Sequence, residues 1–272
     1  MLIVAATPIG NLGDASPRLV SALAEVSHIA AEDTRNLRKL AGLLGVKIHA
    51  KLYSLHEHNE SDRLEQILDL VESTDVLLVS DAGMPTVSDP GFQLVRGAVE
   101  RGLEVTVIPG PSAVLAALAI SGLPTDRFTF EGFLPRKDGE RRQLFESLRA
   151  ETRTMVFFES AHRIQDSLDV AAAVLGADRP ASVSRELTKK FEHTERGTLA
   201  ELIEWSKSDP KGEMVLVIGG APANNRDASE LVDDVLALVA SGQRMKDAVA
   251  EVAEIHGVSK SVLYQLAVDA KQ

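Results

Sequence analysis

The sequence predicts two α/β domains followed by a small helical segment, and three observations carry that prediction. Residues 1–122 alternate short apolar runs with amphipathic stretches, the pattern of an α/β domain on a largely parallel sheet. Residues 123–222 change style and mix an alternating strand, core strands and helices, as a second α/β domain does. Residues 223–272 read as helix after a short linker.

Taken in order, "LIVAA" (2–6) is a strand and "TPIGNLGDAS" a long turn. Ser16 caps a helix that opens with Pro17 and carries Leu19, Val20, Leu23 and Val26 on one face. "SHIAAE" (27–32) is a second strand, closed by "EDTR" and followed by a helix over 36–44. Ser61 is expected to cap the next helix, whose face is Leu64, Ile67, Leu68 and Val71. "DVLLVS" (75–80) and "LEVTVIPG" (103–110) are the third and fourth strands, each followed by a helix. Gly and Pro in "SGLPTDRF" (121–128) mark the boundary. Beyond it "RFTFEGFL" alternates, "TMVFFES" (154–160) and "GEMVLVIGG" (212–220) are core strands, and helices fill 138–150, 161–176 and 198–207. After the linker "APANNRD" (221–227) come three helices, with Gly257 separating the last two and Ser259 placed to cap the last. Their spacing is that of a helix-turn-helix or a plain helical hairpin.

The chain has 272 residues, 44% of them hydrophobic, enough for a sizeable core. It has no cysteine, which excludes disulfides and thiolate metal sites and fits a reducing cytosol. The opening "MLIVAATPIGN" lacks a basic region and breaks at Thr7–Pro8, so it reads as a strand rather than a signal peptide. No stretch approaches the ~20 apolar residues that span a bilayer. A soluble, cytoplasmic protein without a membrane partner is expected. Net charge is −11, with 40 acidic against 29 basic residues, which argues against a generally basic nucleic-acid binder but leaves room for a local basic face.

Three strand ends carry Gly- and Pro-rich loops: "TPIGNLGD", "SDAGMPTVSDPG" (80–91) and "PGPSA". One such loop is only a turn. In a parallel sheet, however, the carboxyl ends of the strands lie along one edge, so the three loops gather where ligands bind. Gly allows close backbone approach and Pro stiffens the wall. The phosphate-cradling pattern GxxxxGK[ST] and the dinucleotide pattern GxGxxG are both missing, so the loops suit a neutral or cationic ligand with Asp81 nearby.

"VAATPIGNLGD", "AAEDTR", "SDAGMPTVSDPG", "VIPGPSA", "FEGFLPR", "FFESAHR" and "SRELTKKFE" together resemble the tetrapyrrole methylase superfamily of S-adenosylmethionine (SAM) enzymes. Within it they resemble the ribosomal RNA small subunit methyltransferase I family, over residues 2 to 220 and in order. The resemblance implies a tetrapyrrole methylase-like fold with SAM in the cleft between the two domains, and a homodimer. It implies methyl transfer to the ribose 2′-OH of cytidine 1402 in the 16S rRNA of the small (30S) ribosomal subunit. The C-terminal helices are similar to an accessory helix-turn-helix of many members. Carried over by motif, the cofactor contacts are Pro8 and Ile9; Asp81, Ala82, Gly83 and Met84; Ser112 and Ala113; and, from the second domain, Phe158, Leu187 and Met214. "SDAGMP" departs from the superfamily's commoner Gly-rich form but keeps Asp81, Gly83 and Pro85, as the RNA-directed branch does.

In such a reaction the cofactor supplies the reactivity, and the protein supplies alignment and a way to remove the hydroxyl proton. Candidate catalytic groups are Glu32 and Arg35 of "EDTR", Glu159 of "FFESAHR" and Lys189 of "SRELTKK", with Asp33, Arg163, Arg185 and Glu186 beside them. An acid and an Arg at a strand end are also an ordinary structural ion pair. No His, Asp and Glu cluster has ligand-like spacing, so the sequence offers no catalytic metal site. Basic groups that could face RNA are Arg136, Lys137, Arg141 and Arg142; Arg35, Arg38 and Lys39; and Arg185, Lys189 and Lys190. Two other readings compete: a methylase of corrin or porphyrin precursors, and a non-catalytic nucleic-acid adaptor built on the terminal helices. The long "FFESAHR" and "SRELTKK" strings argue against the first, and the three ligand loops against the second.

Overall fold

A computed structural model describes residues 1–56, 59–222, 227–256 and 258–271. The first sheet has five strands, β1 (Leu2–Ala5), β2 (His28–Ala31), β3 (Lys51–Ser54), β4 (Val76–Val79) and β5 (Val105–Ile108). Their order is β3-β2-β4-β1-β5, and every pairing is parallel. Parallel strands need crossovers, and helices supply them: α1 (Pro17–Glu25), α2 (Thr34–Leu43), α3 (Glu60–Ser73), α4 (Phe92–Glu100) and α5 (Ala113–Ile120). Alternate residues of one strand serve opposite cores. Leu2, Val4, Val76 and Leu78 pack with Ile67, Leu68 and Leu94 of α3 and α4, while Ala5, Leu77 and Val79 pack with Leu19 and Leu23 of α1 and Leu37 of α2. Burial on both faces is why "VLLV" reads as an unbroken apolar run.

The second sheet holds β6 (Phe128–Phe133), β7 (Thr154–Ser160), β8 (Pro180–Arg185), β9 (His193–Thr198) and β10 (Glu213–Ile218), in the order β6-β7-β10-β8-β9. Only β6 and β7 pair in parallel; the other pairings are antiparallel. Helices α6 (Asp138–Ser147), α7 (Ile164–Leu175) and α8 (Leu199–Ser206) cover one face over a core of Phe145, Phe157, Leu168, Leu202 and Leu216. The other face, with Val156, Val215 and Val217, packs on Val114, Ala117 and Leu118 of α5. Helix α5 therefore joins the two sheets, which explains its apolar composition, "AVLAALAI".

Several sequence expectations need correction. Ser61 caps nothing: α3 begins at Glu60 after Asn59, which puts Ser61 inside the first turn. Ser259 occupies the cap position of the last helix, but its hydroxyl bonds to Ser261 at 2.9 Å instead of to a helix amide. Helix α2 starts two residues early, at Thr34, because Asp33 accepts from the Arg35 N–H. Strands β3, β8 and β9 were not expected. "KLYS" and "HTERGT" are polar edge strands, and "PASVSR" buries Ser182 and Ser184, so none has an apolar signature.

Residues 1–149 and 153–219, containing both sheets, form one compact unit; 150–152 and 220–272 form another. In the latter, α9 (Val232–Ala240), α10 (Met245–His256) and α11 (Lys260–Asp269) enclose Leu231, Val235, Val249, Val252 and Leu263. Residues 223–226 of the expected linker, and Gly257, lie outside the described residues. Among the described residues, no helix is long and apolar enough to cross a membrane.

Candidate active site

The three loops that follow β1, β4 and β5 meet. Thr7 and Gly83 exchange two backbone hydrogen bonds, 2.9 and 3.1 Å long, and the Thr7 hydroxyl donates to the Ser80 carbonyl at 3.2 Å. Gly83 has φ +80°, and a Cβ there would lie 3.4 Å from Ile9 and 3.8 Å from the Pro111 carbonyl. A side chain at this point would have to share the space in which all three loops converge.

Between these loops and the second sheet lies a cavity with about 840 Å³ of unfilled space, counting its open mouth. The first sheet contributes Ile9, Ala82, Gly83, Met84, Val87, Ser88, Asp89, Ser112, Ala113 and Val114; the second contributes Phe133, Phe158, Glu159, Glu213, Met214 and Val215. A side recess is lined by Ile9, Ala113, Leu187, Glu213 and Val215. Of the predicted cofactor contacts, Ile9, Ala82, Gly83, Met84, Ser112, Ala113, Phe158 and Met214 thus share one cavity, and Leu187 lines its recess. Pro8 and Asp81 are not in the lining. Asp81 turns its carboxylate to the loop after β2, where it accepts from the Asp33 N–H at 3.2 Å and the Asn36 amide at 2.7 Å.

The predicted catalytic groups lie around the cavity rather than all inside it. Glu32 accepts from the Asp81 N–H at 3.1 Å, and so ties the end of β2 to the end of β4. Arg35 lies outside the lining, its side chain 87% exposed and forked onto Asp33 at 2.7 Å; its hydrogen bonds hold the Asp33 carboxyl down to about 2. Glu159 is fully engaged on the helix side of β7: Arg163 at 2.5 Å, the Ser160 N–H at 2.6 Å and the Ser167 hydroxyl at 2.6 Å. Lys189 bridges Glu213 at 2.8 Å and Glu186 at 3.2 Å; burial opposes its charge, yet the two carboxylates leave it raised. Arg141, expected on an RNA-facing surface, is instead buried and paired with Asp138 at 3.1 Å.

Backbone strain gathers at the same place. Five non-glycine residues among those described have positive φ, and four of them flank two cavity residues: Thr86 and Ser88 beside Val87, Glu186 and Thr188 beside Leu187. Each costs about 1–2 kcal/mol, an arrangement kept where packing over-determines a functional loop. Sequence reasoning missed Val87, Ser88, Asp89 and Phe133. Asp89 lies within the quoted "SDAGMPTVSDPG", but nothing local distinguishes it from a turn aspartate.

The lining is apolar and backbone-rich, and its acidic residues are Asp89, Glu159, whose carboxylate turns to the helix side of β7, and Glu213. Asp89 has no cationic partner among the described residues; Glu159 is paired with Arg163 and Glu213 with Lys189. Such a surface disfavours a phosphate and accommodates a cationic organic molecule, the character of a sulfonium methyl donor. A two-sheet α/β frame with such a cleft at the carboxyl edge of its parallel sheet is a binding site for a small organic ligand.

The comparisons with known proteins agree. The family model for tetrapyrrole (corrin/porphyrin) methylases matches residues 1–203, and a model described as the RsmI C-terminal HTH domain matches residues 226–271. Ribosomal RNA small subunit methyltransferase I of Mycobacterium tuberculosis (strain CDC 1551 / Oshkosh) is 46% identical over 273 residues, covering 100% of this chain and 95% of that protein. The protein of the same name from Escherichia coli O157:H7 is 44% identical, covering 98% and 94%. A crystal structure of the methyltransferase CobJ superposes with a TM-score of 0.60 at 20% identity, covering 81% of this chain and 94% of that one; one of diphthine synthase gives 0.61 at 16%, covering 80% and 89%. The chain belongs to the tetrapyrrole (corrin/porphyrin) methylases and is a methyltransferase.

Proposed function

We propose that this protein transfers a methyl group from SAM to the ribose 2′-OH of cytidine 1402 in the 16S rRNA of the small ribosomal subunit. The observation that carries this reading is the similarity, over essentially the whole chain and at 44–46% identity, to proteins named ribosomal RNA small subunit methyltransferase I. The match of the C-terminal helices to a domain model from the same enzymes supports the RNA-directed branch over a small-molecule methylase.

SAM, when bound, supplies an electrophilic methyl on a positively charged sulfur; the chain's residues bind and orient the reactants. Ile9, Ala82, Gly83, Met84, Ser112 and Ala113 form the proposed wall for the donor on the first sheet, with Phe158, Leu187 and Met214 opposite. Pro8 stiffens the first loop, and Asp81 holds the loop after β2 against the second. Glu32 and Arg35 are proposed to brace that junction, Glu159 to fix the end of β7, and Lys189 to keep Glu213 in place across the recess.

A homodimer in the cytoplasm is the proposed working form. Val107 on the edge strand β5, and Leu115 and Ile120 on α5, are exposed apolar groups of the kind a subunit contact covers. The test is methyl transfer from labelled SAM to small subunits that lack the modification, followed by nucleoside analysis. Label in 2′-O-methylcytidine is the expected result; SAM binding with no label in RNA would move the protein to the small-molecule branch.

A further inference from the structure

The three acidic residues of the lining are not equivalent. Glu159 is held by a guanidinium, a hydroxyl and an amide, and Glu213 by the Lys189 ammonium. The groups acting on Asp89 are of another kind: the carboxylates of Glu32 and Asp81, and the Ser80 hydroxyl, with no cation paired to it among the described residues. Burial first, then the Glu32 charge, pushes the Asp89 carboxyl up to about 6 against the one favourable hydrogen bond from Ser80. A carboxylate raised toward neutral pH is a better proton acceptor than an ordinary one and is still ionised at pH 7.

Facing this segment, β6 does something unusual. Its register with β7 breaks between Phe130 and Phe133, and Gly132 has φ +74°. A bulge of this kind re-aims the next side chain, and Phe133 is left 63% exposed while still lining the cavity. Phe133 packs edge to face on Phe158, with centroids 5.2 Å apart. A Cβ on Gly132 would lie 3.7 Å from the Ser88 hydroxyl, so the bulge and the segment that carries Asp89 meet across the cavity mouth. A large exposed aromatic beside an unneutralised carboxylate is costly in a structural wall. It is what a nucleotide site uses: a π face for the base and an acceptor for a hydroxyl.

We infer that the acceptor nucleotide enters between Phe133 and Asp89, stacking its base on Phe133 and giving its ribose hydroxyl proton to Asp89. This rests on the reading that the acceptor is an RNA 2′-OH. The 2′-oxygen gains the methyl carbon and loses its proton; the bond broken is the carbon–sulfur bond of the sulfonium donor, whose electron pair stays on sulfur. The proton passes to an Asp89 oxygen and then to water. Glu32 and Asp81 keep the acceptor basic, and the paired Glu159 and Glu213 add no free base of their own.

The test uses the full chain, labelled SAM and undermodified small subunits, with wild type, Asp89→Asn, Phe133→Ala and Phe133→Trp. Turnover, SAM binding by calorimetry, subunit binding and the NMR titration of the Asp89 carboxyl are read together. Asp89→Asn is expected to lower kcat by about 10²–10³-fold with SAM and subunit binding nearly unchanged, and the wild-type carboxyl to titrate near pH 6. Phe133→Ala is expected to raise KM for the subunit about tenfold with kcat largely kept, and Phe133→Trp to restore it. Near-wild-type turnover in Asp89→Asn overturns the inference, as does loss of SAM binding, which would assign Asp89 to the donor. An unchanged KM in Phe133→Ala overturns the stacking platform. Labelled RNA with an unaffected Asp89→Asn sinks only this inference; wild type that labels no RNA sinks the underlying reading and this inference with it.

Discussion

The two walls of the cavity are built on different electrostatic plans. On the second wall the acidic residues are matched by cations: Glu159 by Arg163, and Glu213 and Glu186 by Lys189. On the first sheet Glu32, Asp81 and Asp89 crowd at the ends of β2 and β4, and Asp89 is left with neighbours of its own sign. The same residue type thus serves opposite ends. A neutralised, hydrogen-bonded carboxylate fixes geometry, whereas a crowded one stores basicity.

The comparison breaks most visibly at Glu159. Glu159→Ala would leave Arg163 and Ser167 without their shared acceptor beneath β7, and a loss of about 3 kcal/mol is expected by urea unfolding. A loss below about 1 kcal/mol would mean that the second wall is not held by that carboxylate. Next comes Gly83, where alanine would sit at φ +80° with its Cβ against Ile9. Gly83→Ala should cost about 1–2 kcal/mol and weaken SAM binding, both measurable by thermal melts with and without SAM.

A third, smaller effect has the reverse sign. The Asp89 carboxyl ionises near 3.8 when unfolded and near 6 when folded, so between these values the folded state binds more protons. Wild-type stability therefore falls as pH rises through about 4 to 6, and the penalty persists above that window. Asp89→Asn lacks it. After allowance for solvent screening of a partly exposed group, the variant should melt about 2–4 °C higher at pH 7.5 and no higher at pH 4. A melting difference that does not depend on pH would show that Asp89 is not under charge stress. Smallest of all, Ser88→Gly removes the strain at φ +62° but adds freedom to the unfolded chain, so the two effects largely offset and stability should change by no more than about 1 kcal/mol by urea unfolding.

The legibility of the chain divides along the same line. The first sheet could be read because its strands are buried on both faces: "VLLV" and "LIVA" announce themselves, and the parallel order follows from the helices between them. Strands β8 and β9 could not, because Ser182, Ser184, Glu195 and Arg196 carry no strand signature, and only pairing with their neighbours makes them strands. Among the cavity residues, Ile9, Ala82, Gly83, Met84, Ser112 and Ala113 follow from the motifs that carry the family resemblance. Asp89 and Phe133 do not, since one resembles a turn aspartate and the other a core aromatic.

What the sequence determined by itself is the plan: two α/β sheets, three Gly- and Pro-rich loops at one sheet edge, a terminal helical segment, and motifs that resemble a SAM-dependent methylase. These follow from periodicity, turn chemistry and residue order, which are local. Tertiary structure decided which carboxylates are neutralised and which are not. Asp89 is 57 residues from Glu32 in sequence, and Lys189 is 24 from Glu213; only folding brings each pair together, one to repel and the other to attract. Charge interactions act through space, and the chain's order does not record those distances.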